Sequence, residues 1–199
     1  NKHPGFNKDN IVMVDASESD TKTIYPLFRQ ALSSRPEISG IASAELGLGE
    51  GTGWSRSGFE YNGIHKDVFE YFIDADYIKV MGMQLITGRN FDPAFSSDTQ
   101  TSVIVNEAMV RDFGWTNETA IGQQLKGYSE SKTPVVIAVV KNFHFRPFKE
   151  EVQPQLFHQF ADYAPFKFFV RIKPGNPGTA LGAMQKAWTS VEPVLPFKY

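Results

Sequence analysis

The sequence contains no cysteine. That excludes a disulfide framework, zinc–thiolate centres and thiol nucleophiles, while leaving the compartment open. Nor does one sign of charge dominate. Twenty Lys and Arg stand against 22 Asp and Glu, a net charge of −2. Nucleic-acid-binding domains carry a basic face and a high pI, and the pI of about 6.1 argues against that class. No stretch reaches the ~18 apolar residues of a membrane span. The longest dense run, Val135 to Val140, has the length of a strand. No signal-peptide pattern occurs in these residues.

What is present is an ordinary globular balance, 41% hydrophobic and 21% charged, over 199 residues. That is enough apolar surface for a core in one large domain or two small ones. Aromatics reach 14%, with 17 Phe, so a Phe-heavy core is expected. The chain opens on Asn1 rather than Met. It closes on Val194-Leu195-Pro196-Phe197-Lys198-Tyr199, apolar and without a polar tail. Both ends are therefore expected to be cuts in a longer chain.

Hydrophobic spacing lays out the elements. Ile11 to Asp15 predicts a buried strand. Ser17 to Asp20 offers N-cap oxygens, and Ile24, Leu27, Phe28, Ala31 and Leu32 recur at helical spacing. Ile38 to Leu48 predicts a second strand, completing β-α-β. Trp54 to Gly63 ends in Asn62-Gly63, a hairpin signal, and a strand follows to Ile73. Asp74 to Gly82 and Asn106 to Gly114 each predict a short capped helix after a strand. They share one grammar, explained equally by duplication or by the generic chemistry of short helices. Pro134 to Phe145 is the strongest strand, with others over Gln155 to Phe160 and Phe166 to Lys173. Asn176-Pro177 starts a helix with Leu181, Met184, Trp188 and Val191 on its apolar face. Val194 to Tyr199 is expected to be the last strand.

The two ends thus match, each β-α-β. Together they predict an α+β fold: a split-βαβ, ferredoxin-like, porter-type subdomain from residues 1–48 and 166–199. Residues 49–165 form an inserted strand-rich subdomain.

The chemistry-bearing motifs are weak. Gly47, Gly49, Gly51 and Gly53 alternate, but GxGxxG would need Gly where Thr52 or Trp54 stands, and no GK[ST] follows. A flexible connector or a bulged hairpin explains them better. His3, His65, His144 and His158 lack metal-ligand spacing. GxSxG is absent. Asp74 reads as a helix cap and Glu150-Glu151 as a solvated turn. No catalytic residue, metal site or cofactor is therefore assigned. One cluster invites a partner-binding reading: Phe143, His144, Phe145, Arg146 and Phe148, since aromatics and Arg dominate interface hot spots. Core packing competes with that reading. Trp54, near a hairpin, is a second candidate.

Several strings resemble the MacB-like periplasmic domain of FtsX/MacB-type ABC-transporter permeases. They are Phe72-Ile73-Asp74-Ala75-Asp76-Tyr77 through Met81-Gly82, Gly88-Arg89-Asn90-Phe91, Val103-Ile104-Val105-Asn106-Glu107-Ala108 and Ile121-Gly122. Val139-Val140-Lys141-Asn142-Phe143-His144-Phe145, Phe169-Val170-Arg171-Ile172, Trp188 and Pro196-Phe197 continue the series in order. One departure stands out: the family often has Asp where this chain has Asn142.

The resemblance implies an extracytoplasmic, periplasmic domain of an inner-membrane permease, set between its first two membrane helices. It implies no enzymatic activity in this segment. It implies a membrane-embedded, dimeric parent that couples to an ATP-binding subunit or domain and binds a substrate, adaptor or envelope protein. Apolar helices should then flank Asn1 and Tyr199 in the parent gene. Two other readings make different demands. A free-standing cell-surface binding module needs a signal sequence and no multi-span region. A hydrolase needs His144, an acid and a nucleophile in one pocket.

Overall fold

The computed structural model describes residues 10–47, 55–143, 151–161 and 163–199. Two sheets organise it. Sheet A has the order β1-β9-β2, formed by β1 (Ile11–Asp15), β2 (Ile38–Ala44) and β9 (Lys167–Ile172). β1 and β2 both run antiparallel to β9, so they are parallel to each other with a slot between them. Helix α1 (Thr21–Leu32) makes the crossover, and β9 fills the slot. This is the expected split-βαβ topology. Helix α5 (Pro177–Val191) returns from β9 and lies beside α1. It starts as its sequence demands. Pro177 takes the first turn, where no N–H is needed, and the Asn176 side chain accepts the Gly178 N–H at 2.9 Å.

Sheet B has six strands in the order β3-β4-β8-β6-β7-β5. These are β3 (Ser55–Tyr61), β4 (Ile64–Phe72), β5 (Leu85–Gly88), β6 (Ser102–Asn106), β7 (Val135–Val140) and β8 (Gln155–His158). Short helices α2 (Tyr77–Val80), α3 (Glu107–Asp112) and α4 (Asn117–Ala120) connect them. The β3–β4 turn places Asn62 at φ 52° and Gly63 at φ 76°. Two successive positive φ values suit the right-handed twist of a hairpin, and Asn-Gly tolerates them best. At Gly88, φ is 81° and a Cβ would lie 2.1 Å from the Ile137 carbonyl oxygen. Only glycine fits there. The adjacent shift in the β6–β7 register, between Val103 and Ile104, is a bulge at Ile137.

Alternation sorts these strands onto three cores. Val14, Phe168 and Val170 meet Phe28 and Leu32 of α1 and Met184 and Trp188 of α5. The other face of sheet A turns Ala42, Ala44 and Phe169 onto α2 and sheet B, where Ile73, Ile104, Ala138, Val140 and Phe157 answer. The far face of sheet B buries Val68, Val103, Val105 and Leu156 beneath α3 and α4. Sheet A is thus apolar on both faces, and one continuous core joins it to sheet B.

The last predicted strand is not one. Val194 to Tyr199 makes no ladder. Pro193 and Pro196 carry no N–H donor, and the Leu195 carbonyl is taken by the Trp188 indole N–H at 2.8 Å. A single backbone bond, Asp15 N–H to Lys198 O at 2.9 Å, ties this run to β1. Beyond the named strands, Gln124 makes one isolated antiparallel bridge to Val135.

Candidate functional site

The most concentrated polar chemistry lies where sheet A meets the start of α2. Asp74 follows β4 and comes beside β2 because Ile73 bridges Ala44 and the Asp74 N–H donates to Ser43 O at 3.0 Å. Its side chain then collects four donors. One carboxylate oxygen accepts the Tyr25 hydroxyl, the Ser43 N–H at 2.9 Å and the Ser43 hydroxyl at 3.1 Å. The other accepts the Asp76 N–H at 3.1 Å. Arg29, one turn along α1 from Tyr25, pairs with Asp76 at 2.5 Å. Thus α1, β2 and the α2 turn share one largely buried carboxylate. Burial pushes its pKa up to about 6, with the negative charge of Asp76 adding to the rise and the Tyr25 and Ser43 bonds opposing it. A second tie lies nearby, where Arg171 of β9 donates to Val80 O at 2.6 Å.

Sheet B holds a second buried polar group on its far face. Glu70 of β4 and His158 of β8 are 4% and 1% exposed, with Glu70 Oε2 3.9 Å from His158 Nε2. Burial raises the Glu70 carboxyl, but the neighbouring His158, Ser57 and Tyr128 side chains outweigh it and hold the group below its ordinary range. The other ring nitrogen of His158 accepts the Phe160 N–H at 3.5 Å, and the ring stacks on Phe160 at 4.3 Å. With the ring enclosed and its Nε2 turned to buried Glu70, His158 offers no surface to a substrate. Asp98 is fully buried too. It takes Arg89 through both oxygens at 2.6 and 2.8 Å, together with Ser102 Oγ and the Asp92 N–H. These groups act as braces for the strands that carry them.

Of the residues singled out in the sequence, Phe143 is fully buried in the core shared by the sheets. Trp54, His144, Phe145, Arg146 and Phe148 lie outside the described residues. The chain on either side of 144–150 is firmly held. Gln155 Nε2 donates to Phe143 O at 3.0 Å, and Asn106 Nδ2 donates to Gln153 O at 2.9 Å. The hydrolase reading would need His144, so its test falls outside the described residues. Among the described residues no group of three His, Asp or Glu side chains could hold a metal ion.

Asn142 has a local task. Its side-chain oxygen accepts the Ala108 N–H at 2.9 Å, and its own N–H donates to Glu107 Oε2 at 2.9 Å. It therefore satisfies an orphan donor in the first turn of α3 from another strand end. Asn142→Ala is expected to cost about 1 kcal/mol. Asn142→Asp keeps the acceptor, so it should recover most of that loss. Urea denaturation of the two variants against the parent chain checks this, and equal losses would show that the cap is idle.

Sequence reasoning missed the Asp74 junction as a tertiary device. Asp-Ala-Asp-Tyr carries a cap signal, while the partners Tyr25 and Ser43 lie 49 and 31 residues away.

The fold is a three-stranded split-βαβ sheet made from both ends of the chain, with a six-stranded mixed sheet entered between them. Several solved structures share it, and two illustrate the match. The periplasmic region of MacB from Actinobacillus actinomycetemcomitans superposes with a TM-score of 0.68 at 14% identity, covering 96% of this chain and 87% of that one. The extracellular domain of the noncanonic ABC-type transporter YknZ from Gram-positive bacteria gives 0.64 at 12% identity, covering 96% and 100%. No protein-family model matches the sequence, and no curated protein sequence matches it.

Proposed function

We propose that this chain is the extracytoplasmic domain of an ABC-transporter permease, set between two membrane helices of a dimeric parent. The observation that carries this reading is the fold, matched over nearly the full length of both chains. The absence among the described residues of any helix long and apolar enough to cross a membrane is compatible with that placement. On this reading ATP hydrolysis by a cytoplasmic subunit or domain moves the membrane helices. The domain then carries the motion to a substrate, adaptor or envelope protein. It needs no cofactor, metal or catalytic residue of its own.

The chain enters through β1 and leaves through α5, so both connections act on sheet A and its helices. Sheet A is joined to sheet B by a shared apolar core and by the Asp74 junction. Sheet A and sheet B therefore move as one lever rather than hinging. A packed core transmits displacement without absorbing it.

The test is topology. Alkaline phosphatase fused within this segment of the parent gene should be active, and apolar segments of membrane-spanning length should lie on both sides. An inactive fusion here, or polar flanks, overturns the reading. A cleaved leader with no multi-span region would assign the free-standing surface module instead.

A further inference from the structure

The far face of sheet B carries a buried negative charge that its surroundings leave incompletely satisfied. The Glu70 side chain is 5% exposed. Its neighbours hold the carboxyl below the ordinary range, so it is ionised near neutral pH. His158 Nε2 stands 3.9 Å from Oε2, beyond hydrogen-bond reach. The other oxygen, Oε1, is buried and accepts no hydrogen bond among the described residues. Ser57 and Tyr128 lie beside the carboxyl without bonding that oxygen. Buried carboxylates are ordinarily paired and hydrogen-bonded, so an empty acceptor here is costly.

A second carboxylate faces this one. The Glu45 N–H donates to Phe72 O at 3.1 Å, which brings Glu45 to the end of β4. Burial raises the Glu45 carboxyl and the Glu70 charge raises it further, with no basic side chain opposing them. Glu45 is half-buried, so the pair reaches solvent on its side. Aromatic rings border it. Phe72 and Tyr163 stack with centroids 5.6 Å apart, and Tyr163 lies 5.0 Å from His158. Tyr128 is close enough to feel both Glu70 and Tyr163. All three rings are half-buried and keep part of their surface toward solvent. Among the described residues no three His, Asp or Glu side chains could hold a metal ion. The Lys132 ammonium is placed over the Phe160 ring, 4.4 Å from its centroid.

We propose that Glu70 and Glu45, bordered by Phe72, Tyr128 and Tyr163, form a site for an organic cation that carries N–H donors, an alkylammonium or a guanidinium. One N–H would donate to Glu70 Oε1 and another to Glu45, as charge-assisted bonds. The ring faces would hold the cation's apolar flank. Because Oε1 is enclosed, the ligand enters by turning aside Tyr128, which sits on a surface turn. A quaternary ammonium has charge but no N–H, so it leaves Oε1 unsatisfied. The chemistry is the same whether the cation is a free small molecule or an arginine or lysine of a partner protein.

Amide NMR of the 199-residue chain, titrated at constant ionic strength with n-butylguanidinium, n-butylammonium and tetramethylammonium, tests this. The first two should give saturable shifts at Glu45, Glu70, Phe72 and Tyr163, half-complete at about 1 mM. Tetramethylammonium should bind about tenfold more weakly, for want of the hydrogen bonds. Glu70→Gln should weaken butylguanidinium about tenfold. Should that variant fail to fold, Glu45→Gln on the rim carries the same expectation. Shifts that stay linear to about 100 mM, undiminished binding to both variants, or the same shifts from calcium alone overturn the proposal. A blocked Gly-Arg-Gly peptide separates the sources. Binding at least as tight as butylguanidinium assigns the site to a partner's side chain, and weaker binding assigns it to a free cation. The site stands on this geometry alone, so failure of the phosphatase fusions would leave it intact, and its own failure would leave the permease reading intact.

Discussion

Phe169→Ala is expected to lower the folding free energy by about 3–5 kcal/mol, and to do so for both sheets at once. Phe169 sits on β9, the central strand of sheet A, and is fully buried. Its ring meets Tyr77 of α2 edge-on, with centroids 5.2 Å apart. It belongs to the same apolar core as Ile73, Ile104 and Phe157 of sheet B. Its neighbour Val170 points the other way, to α1 and α5. Truncating Phe169 opens a cavity at the joint, whereas Val170→Ala would remove less volume under the helices alone. Domains are stable by only about 5–15 kcal/mol, so the Phe169 change removes a large share of the total. Amide exchange followed through a urea series provides the check, comparing Val170 in sheet A with Val105 in sheet B. Both should lose protection together in one transition. If Val170 shifts while Val105 does not, the sheets unfold independently and the single-lever reading is wrong.

That shared core explains which parts of the fold could be read from the residues. Val135 to Val140 declares itself because a strand buried on both faces needs an unbroken apolar run. Asn62-Gly63 declares its hairpin because few other pairs accept two positive φ values. The β-α-β pattern at each end survives because α1 and α5 carry apolar stripes at helical spacing. The failures have equally local causes. β5 has four residues, too few to show a period, and its place depends on Gly88 passing the Ile137 carbonyl. Val194 to Tyr199 has the hydrophobicity of a strand, but Pro196, the preceding Pro193 and the Trp188 indole take its backbone out of a ladder.

The site was less legible than the fold, for a different reason. Asp74, Glu70 and Asp98 sit in segments whose local patterns explain them adequately as a cap, a strand residue and a turn residue. Their partners are brought to them only by the tertiary fold. Tyr25 looks like an ordinary polar-tipped residue on a helix, and Ser43 like a small residue on a strand. The identity of 12–14% with two solved structures of the same fold fits this picture. Burial pattern and chain order specify the fold, and many residue sets satisfy both.

The Asp74 junction should make stability depend on pH in a way that a single substitution removes. The folded protein holds the Asp74 pKa at about 6, above its ordinary value of 3.8. A raised carboxyl pKa means that the fold binds the proton more tightly than the unfolded chain does. Its stabilising contribution is therefore complete below pH 3.8, declines as pH rises, and is gone above about 6. The size follows from the shift: about 2 units at 1.36 kcal/mol each is roughly 3 kcal/mol. Asp74→Asn carries no charge at any pH. Its amide oxygen can still accept from Tyr25 and Ser43, while its NH2 meets the Asp76 N–H less well, so a constant offset is expected. Other carboxyls, including Glu45, which burial and the Glu70 charge also raise, titrate in both proteins and cancel in the difference. Urea denaturation of both proteins between pH 3.5 and pH 8 isolates Asp74. The variant should gain about 3 kcal/mol on the parent chain across that range, nearly all of it between pH 4 and 6.5. A difference that stays flat would mean that the four donors around Asp74 keep it ionised throughout. The junction would then be a permanent clamp between α1 and α2 rather than one that slackens as its proton is lost.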